Sequence, residues 1–260
     1  MIRLGAELGR GSRAVVYECE GGRVVKVPEA GVPERWLHDE YRFIVAAHWG
    51  GAAAPAAPEV VCLEDGSLAL SLERVQGPTM EQELQADPSR GAAFGRLLAD
   101  LQLELWSCPA SFALPLQQHR LAAKLRIVAA EHELDVTEML TWLDRSGPIG
   151  LCHGDLHPHN VVLGARHPVL VDWFDASVGE PAAETARTLL HVGPRSWRAD
   201  DRALDGRAEL HRVYLASITK AAGLSAEDLE RWTTIQLVAR LAEGRGHDDL
   251  PEIRGLLTSW

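Results

Sequence analysis

The chain has 260 residues, 46% of them hydrophobic and 24% charged, the composition of an ordinary globular protein. Its formal charge of −11, without any block of lysine and arginine, argues against nucleic acid as a partner and favours a cationic one. The four scattered cysteines (Cys19, Cys62, Cys108 and Cys152) include no CxxC pair and read as reduced thiols, and a chain of this size needs no disulfide or metal staple for its core.

In chain order, RAVVYECE and RVVKVPE are two β-branched runs joined at Gly21 and Gly22, the signature of a hairpin. VPERWLHDEYRFIVAAHW follows, with Leu37, Tyr41, Ile44 and His48 at helical spacing and Pro33 near its start. After the loop-like GGAAAPAAPE, the stretch EVVCLEDGSLALSLERV reads as a second hairpin turning at Asp65 and Gly66. QGPT at 76–79 breaks the β pattern, and helices dominate afterwards. Phe94, Leu97, Leu98, Leu101 and Leu105 form one apolar face, and Leu121, Leu125 and Val128 another. The chain turns briefly to β again in VVLG and PVLVDWF and is helical beyond Glu180. The expected fold is α+β: a small β-rich lobe with one helix (1–75), a hinge (76–79) and a larger, mainly helical lobe (80–260), with a small-molecule cleft between them. With no apolar leader and no run of about 18 apolar residues, a cytoplasmic protein is expected.

LCHGDLHPHNVVLG at 151–164 sets three histidines, an aspartate and an asparagine between two apolar runs and supports three readings. HxDxH resembles part of a binuclear metallohydrolase site, with His and Asp as ligands for zinc or iron, although no second HxH element follows. Alternatively, it is a polar turn in which Asn160 and the histidines act as local caps. The third reading rests on spacing. Asn160 lies five residues after Asp155, and Asp172 in VLVDWF lies twelve residues further on. A hairpin VVLG-ARHP-VLVD brings Asn160 and Asp172 together at one end. Two oxygen ligands with room for phosphate and water suit Mg²⁺, while Asp155 sits one turn away to orient a hydroxyl nucleophile.

HxDxxxxN followed by a strand-borne aspartate resembles the catalytic and metal-binding loops of the protein-kinase-like fold, and HGDLHPHN…VDWFDASVGEP resembles the aminoglycoside phosphotransferase family. The resemblance spans roughly residues 5–190. It implies a two-lobed small-molecule kinase using ATP or GTP with Mg²⁺. Asp155 would be the catalytic aspartate, Asn160 and Asp172 the Mg²⁺ ligands, and His153 a support for the loop. It also implies that Lys26, inside the apolar strand VVKV, pairs with Glu40 on the small-lobe helix and grips the α/β phosphates; Glu34 is the fallback partner. Gly9, Gly11 and Ser12 would bring backbone amides to phosphate, and the Glu73 carbonyl and Val75 amide would meet the adenine.

Several departures narrow the resemblance. Ala14 stands where the protein-kinase glycine loop has its third glycine, no APE-like segment follows, and DWF stands at the DFG position, which argues against a protein kinase. Glu184 stands where the family has an aspartate, in the same expected structural role, and Asp175 orders the metal loop or caps a helix. His157 and His159 read as loop or surface residues. The acceptor is expected to be a small cationic hydroxyl compound met by carboxylates among Glu180, Asp200, Asp201, Asp205, Glu209, Asp248, Asp249 and Glu252. No nucleic acid or membrane partner is expected, and the chain is expected as a monomer or weak dimer. Two rivals remain at this stage: a nucleotide-binding member without turnover, and the metallohydrolase.

Overall fold

The computed structural model describes residues 2–11, 13–111, 113–144, 150–197, 201–244 and 249–257. The small lobe is a five-stranded antiparallel sheet of order β1-β2-β3-β5-β4, from β1 (Glu7–Arg10), β2 (Ala14–Cys19), β3 (Arg23–Pro28), β4 (Glu59–Cys62) and β5 (Leu68–Glu73). Both expected hairpins form. Gly21 and Gly22 carry φ of +73° and +71°, values that glycine adopts without a Cβ clash.

The helix α1 (Glu34–Trp49) starts after Pro33 and packs on β4 and β5. Its buried face is not quite the expected stripe: Leu37 and Ile44 are inside, but His48 is exposed and Tyr41 only half-buried. The buried face is rotated toward Glu40, Phe43 and Ala47. That rotation carries the carboxylate of Glu40 inside the lobe.

The crossing to the large lobe runs through residues 74–79, where Pro78 O accepts from Leu163 N at 2.8 Å and Thr79 bridges to Val162. A capping box between Thr79 and Gln82 then starts α2 (Met80–Ala86). The remaining helices are α3 (Gly91–Ser107), α4 (Gln117–His132), α5 (Thr137–Leu143), α6 (Pro181–Val192), α7 (Leu204–Ala222), α8 (Ala226–Leu241) and α9 (Leu250–Leu257). Two small antiparallel pairs interrupt them: β6 (Gly150–Cys152) with β9 (Ser177–Gly179), and β7 (Val161–Leu163) with β8 (Pro168–Leu170). The latter is the expected hairpin. The former was not legible, since three residues are too short for a period.

One apolar core runs through both lobes, joining Leu37, Phe43, Ile44 and Leu70 to Met80, Leu98, Leu151, Trp173 and Tyr214. A second lies among α4, α6 and α8 around Leu125, Met139 and Trp232. All four cysteines are free. Among the described residues, no helix is long and apolar enough to cross a membrane.

The tightest helix contact is α3 on α7, where a Cβ on Gly95 would stand 2.5 Å from Leu210 O and 2.9 Å from Tyr214 N. Gly95→Ala gains about 1 kcal/mol of helix propensity but forces two backbones apart, a penalty of roughly 1–3 kcal/mol. We expect a net fall in the urea midpoint, while Gly9→Ala, with open space around it, leaves the midpoint where it is.

Candidate active site

β6 delivers the chain to His153, Gly154 and Asp155 through three buried residues. Gly154 has φ +80°, and a Cβ there would lie 2.1 Å from Asp175 O, so only glycine fits this turn. Beneath it, the fully buried Glu184 accepts from His153 N (2.9 Å) and Gly154 N (3.1 Å). The longer carboxylate thus holds the loop as expected of that position. Burial, resisted by these two amides, raises its carboxyl to about 7. His153 is also buried: its Nε2 meets Val171 O at 3.0 Å and its ring lies 4.8 Å from Trp173. Burial holds the imidazole below its usual pKa, so the neutral ring carries its proton on Nε2 and donates to that carbonyl.

The β7–β8 hairpin brings the next two residues together. Val161 faces Leu170, and one step outward Val171 N donates to Asn160 O at 2.9 Å, which puts Asp172 beside Asn160 at the open end. Asn160 Nδ2 contacts Asp155 O (2.9 Å) and His157 Nε2 (3.2 Å), leaving the amide oxygen available as a ligand. Asp172 has φ +66°, a left-handed conformation that costs a non-glycine residue about 1–2 kcal/mol. The strain aims its half-exposed carboxylate across the cleft.

There it meets Lys26. The ammonium, 17% exposed, lies 2.7 Å from Glu40 Oε1 and 2.7 Å from Asp172 Oδ1. Burial alone would lower the lysine pKa, but the two carboxylates outweigh it and the pKa is raised. Burial likewise pushes Asp172 up, and Lys26 more than reverses it. Glu40 is therefore the partner, while Glu34 stays exposed beside His38.

The chain that places this lysine, its two carboxylates and the HGDxxxxN loop together matches the phosphotransferase enzyme family over residues 5–224. The chain belongs to that family. It is a small-molecule kinase. No curated protein sequence matches this chain. Solved structures share its fold: an aminoglycoside 2'-phosphotransferase-IIIa in its GDP complex (TM-score 0.59, 19% identity, 100% of this chain and 92% of that one), and a thermostable mutant of the aminoglycoside phosphotransferase APH(4)-Ia (TM-score 0.65, 17% identity, 99% and 94%). A third is the streptomycin–ATP ternary complex of APH(2")-IIa (TM-score 0.57, 15% identity, 100% and 91%).

Other expected residues of this kinase are placed less simply. Gly11 N is already bonded to Ala14 O at 2.9 Å, so in this conformation the turn closes on itself and offers phosphate no free Gly11 amide. Ser12 lies outside the described residues. Glu73 ends β5 with its carboxylate exposed and accepting from Ala56 N (3.3 Å), and Val75 follows, half-buried, where the chain enters the crossing. Arg13, which the sequence did not single out, reaches from the β1–β2 turn across the cleft. It lies over the Phe174 ring (4.5 Å) and 3.5 Å from Asp175. Asp175 also holds Arg120 at 3.1 Å, so it orders the segment after Asp172 and caps no helix.

Asp155 is not the free carboxylate that the spacing suggested. Its Oδ1 lies 3.0 Å from His191 Nε2 and 3.2 Å from Arg187 Nη2, and its Oδ2 lies 3.4 Å from His157 Nε2. Arg187 continues to Glu243 (3.0 Å), which holds Lys124 (2.6 Å). Burial raises the Asp155 carboxyl, but the histidines reverse this and hold it well below the usual range. His157 is thus a half-buried neighbour of Asp155, not the loop or surface residue expected, while His159, 64% exposed, is one. His191 and Arg187 gave no local signal, because both sit in a plain amphipathic helix, α6.

Next to this carboxylate opens a cavity of about 510 Å³ lined by Glu81, His157, His159, His191, Asp201 and Arg207, among others. Of the carboxylates expected at the acceptor, only Asp201 lines it. Glu252 and Asp249 pair with Arg195, Glu209 pairs with Arg212, Asp205 is exposed, and Glu180 precedes α6 with its amide bonded to Gln117. Asp200 and Asp248 lie outside the described residues. Glu81, which sequence reasoning missed, is buried at the cavity wall, and Arg207 bridges it to Asp201.

Glu184 yields a pH test. Its folded carboxyl, near 7, lies above the unfolded value of 4.5. The folded state therefore keeps a proton that the unfolded chain gives up, and stability falls as pH rises from about 4.5 to about 7, at roughly 1.4 kcal/mol per pH unit. Glu184→Gln cannot ionise and is expected to lack that part of the slope. Urea unfolding of both proteins at pH 5 and pH 7 checks it; parallel pH profiles refute it.

Proposed function

We propose that this kinase transfers the γ-phosphoryl group of ATP, or of GTP, to a hydroxyl of a small amine-bearing molecule of the aminoglycoside type. The single observation that carries the reading is the cross-cleft contact of Lys26 with Glu40 and Asp172, set beside Asp155 at a cavity mouth. Lys26 is the group for the α/β phosphates, kept in place by Glu40 while its contact with Asp172 is exchanged for the incoming nucleotide.

The donor set at the hairpin end, one amide oxygen and one carboxylate with open space around them, fits Mg²⁺. Asn160 and Asp172 would hold it, and when bound it neutralises charge on the phosphates. Asp155 orients the acceptor hydroxyl and takes its proton. Its depressed pKa makes it a weak base, which suits a loose phosphoryl-transfer transition state in which alignment counts for more than early deprotonation. Glu184, His153 and Arg187 position that carboxylate.

The cavity volume, about 510 Å³, is that of a typical small-ligand pocket. Glu81 and Asp201 supply two negative charges against one from Arg207, a net attraction for an amine. Solved relatives of the same fold include a complex with streptomycin and ATP and one with GDP and kanamycin. The Arg207 bridge also favours a second reading, an acceptor with fewer amines, such as a hydroxyl metabolite of the choline, homoserine or sugar type.

Asp155→Asn is expected to retain nucleotide affinity by calorimetry but to lose roughly 10²–10⁴ in turnover; retained acceptor-dependent turnover would overturn its role. Asp172→Ala is expected to abolish Mg²⁺-dependent nucleotide binding, and unchanged binding would rule it out as a ligand. Nucleotide consumption against a panel of aminoglycosides and simpler amino alcohols, with mass spectrometry of the product, separates the two acceptor readings.

A further inference from the structure

The geometry points to a second metal site, in which Asp155, His157 and His191 hold a transition cation of the Zn²⁺ class. One potential ligand atom from each of the three lies within 4.8 Å of the others. His191 Nε2 stands 3.0 Å from Asp155 Oδ1, and His157 Nε2 stands 3.4 Å from Asp155 Oδ2. The two imidazoles stack at 4.7 Å, so both nitrogens flank one carboxylate.

Alignment distinguishes this from a hydrogen-bonded cluster. His191 Nε2 is buried and has no hydrogen-bond partner: its contact with Asp155, though short, is out of line for a bond. Two atoms that ligate one ion stand in that relation. Metal bonds of about 2.0–2.1 Å place neighbouring ligands of a tetrahedron about 3.3 Å apart, each aimed at the centre and not at its neighbour.

The donor set also sorts the metals. Two imidazoles and a carboxylate suit Zn²⁺, Cu²⁺ or Ni²⁺, whereas the neighbouring Asn160–Asp172 pair offers only oxygen and suits Mg²⁺. Arg187 donates to Asp155 Oδ1 from outside, and Glu243 offsets its charge, the outer support that ligating carboxylates commonly carry. His157 gives up its 3.2 Å contact with Asn160 Nδ2, which keeps its bond to Asp155 O. The fourth position faces the cavity that His157 and His191 line, so water fills it and the ion exchanges.

Such an ion takes the oxygens that the acceptor hydroxyl needs, so zinc shuts the kinase off in competition with the acceptor. That consequence rests on the proposed function; the site does not.

The test is calorimetric titration of the full chain with ZnCl₂ in a non-chelating buffer containing Mg²⁺, without nucleotide or acceptor. Co²⁺ absorption of the unmodified protein is recorded alongside. The expected result is one Zn²⁺ per chain and intense tetrahedral Co²⁺ bands. Affinity should fall by roughly 100-fold in His191→Gln and in His157→Gln and stay unchanged in His48→Gln, an exposed histidine on α1. Wild-type affinity no better than that of folded His191→Gln, or weak octahedral Co²⁺ bands, overturns the site, and the cobalt spectrum decides alone if the variants fail to fold. Bound zinc that leaves turnover untouched overturns the blocking role. Bound zinc on a protein with no turnover upholds the site and counts against the proposed reaction.

Discussion

The position of one ammonium group organises this molecule. Lys26 is planted in a central strand, where burial would strip it of water at a cost of several kcal/mol, and two carboxylates offset that loss. Glu40 comes from α1 of the small lobe and Asp172 from a strained residue of the large one. The contact therefore sets the helix orientation, the left-handed turn at Asp172 and the closeness of the lobes together. A neutral or misplaced partner at either end would leave a charge stranded in the cleft.

The loop of His153, Gly154 and Asp155 is stiffened in a different way, from beneath. Glu184 takes up the two amides of His153 and Gly154, His153 is spent on Val171 O, and Gly154 occupies a turn that no side chain can enter. From the other side a ladder of alternating charge, Lys124 on α4, Glu243 just beyond α8, Arg187 on α6 and then Asp155, runs inward. Its effect is to orient a buried carboxylate that the two histidines keep ionised and weakly basic, a state suited to aligning a hydroxyl beside transferring phosphate. The same ladder makes Asp155 share its oxygens with neighbours, and the two histidines among them give this kinase a donor set suited to transition metals.

The acceptor side shows why charge counting misleads. The helical lobe is rich in carboxylates, yet nearly all those described are consumed by nearby arginines or stand in solvent. What faces the cavity is one buried glutamate and one aspartate sharing Arg207. Local pairing, and not net charge, sets the field that a ligand meets.

Much was legible without coordinates, wherever the signal was local. Alternating β-branched runs around Gly21 and Gly22 specified one hairpin and Asp65–Gly66 another, because a period of two and a glycine turn are short-range properties. The spacing from Asp155 to Asn160 to Asp172 specified the β7–β8 hairpin for the same reason: one strand, one turn and one strand leave a single way to meet. Lys26 and Glu40 were legible as conflicts, a charge in an apolar strand and a carboxylate at the edge of an apolar face. Other features only the tertiary structure decided. β6 and β9 are three residues each and exist because they pair across a long excursion. His191 and Arg187 reach Asp155 from α6, and Glu243 reaches Arg187 from just beyond α8, across separations of 30 to 90 residues over which no period in the sequence carries information. Sequence determines which residues share an element; packing alone determines which elements share a site.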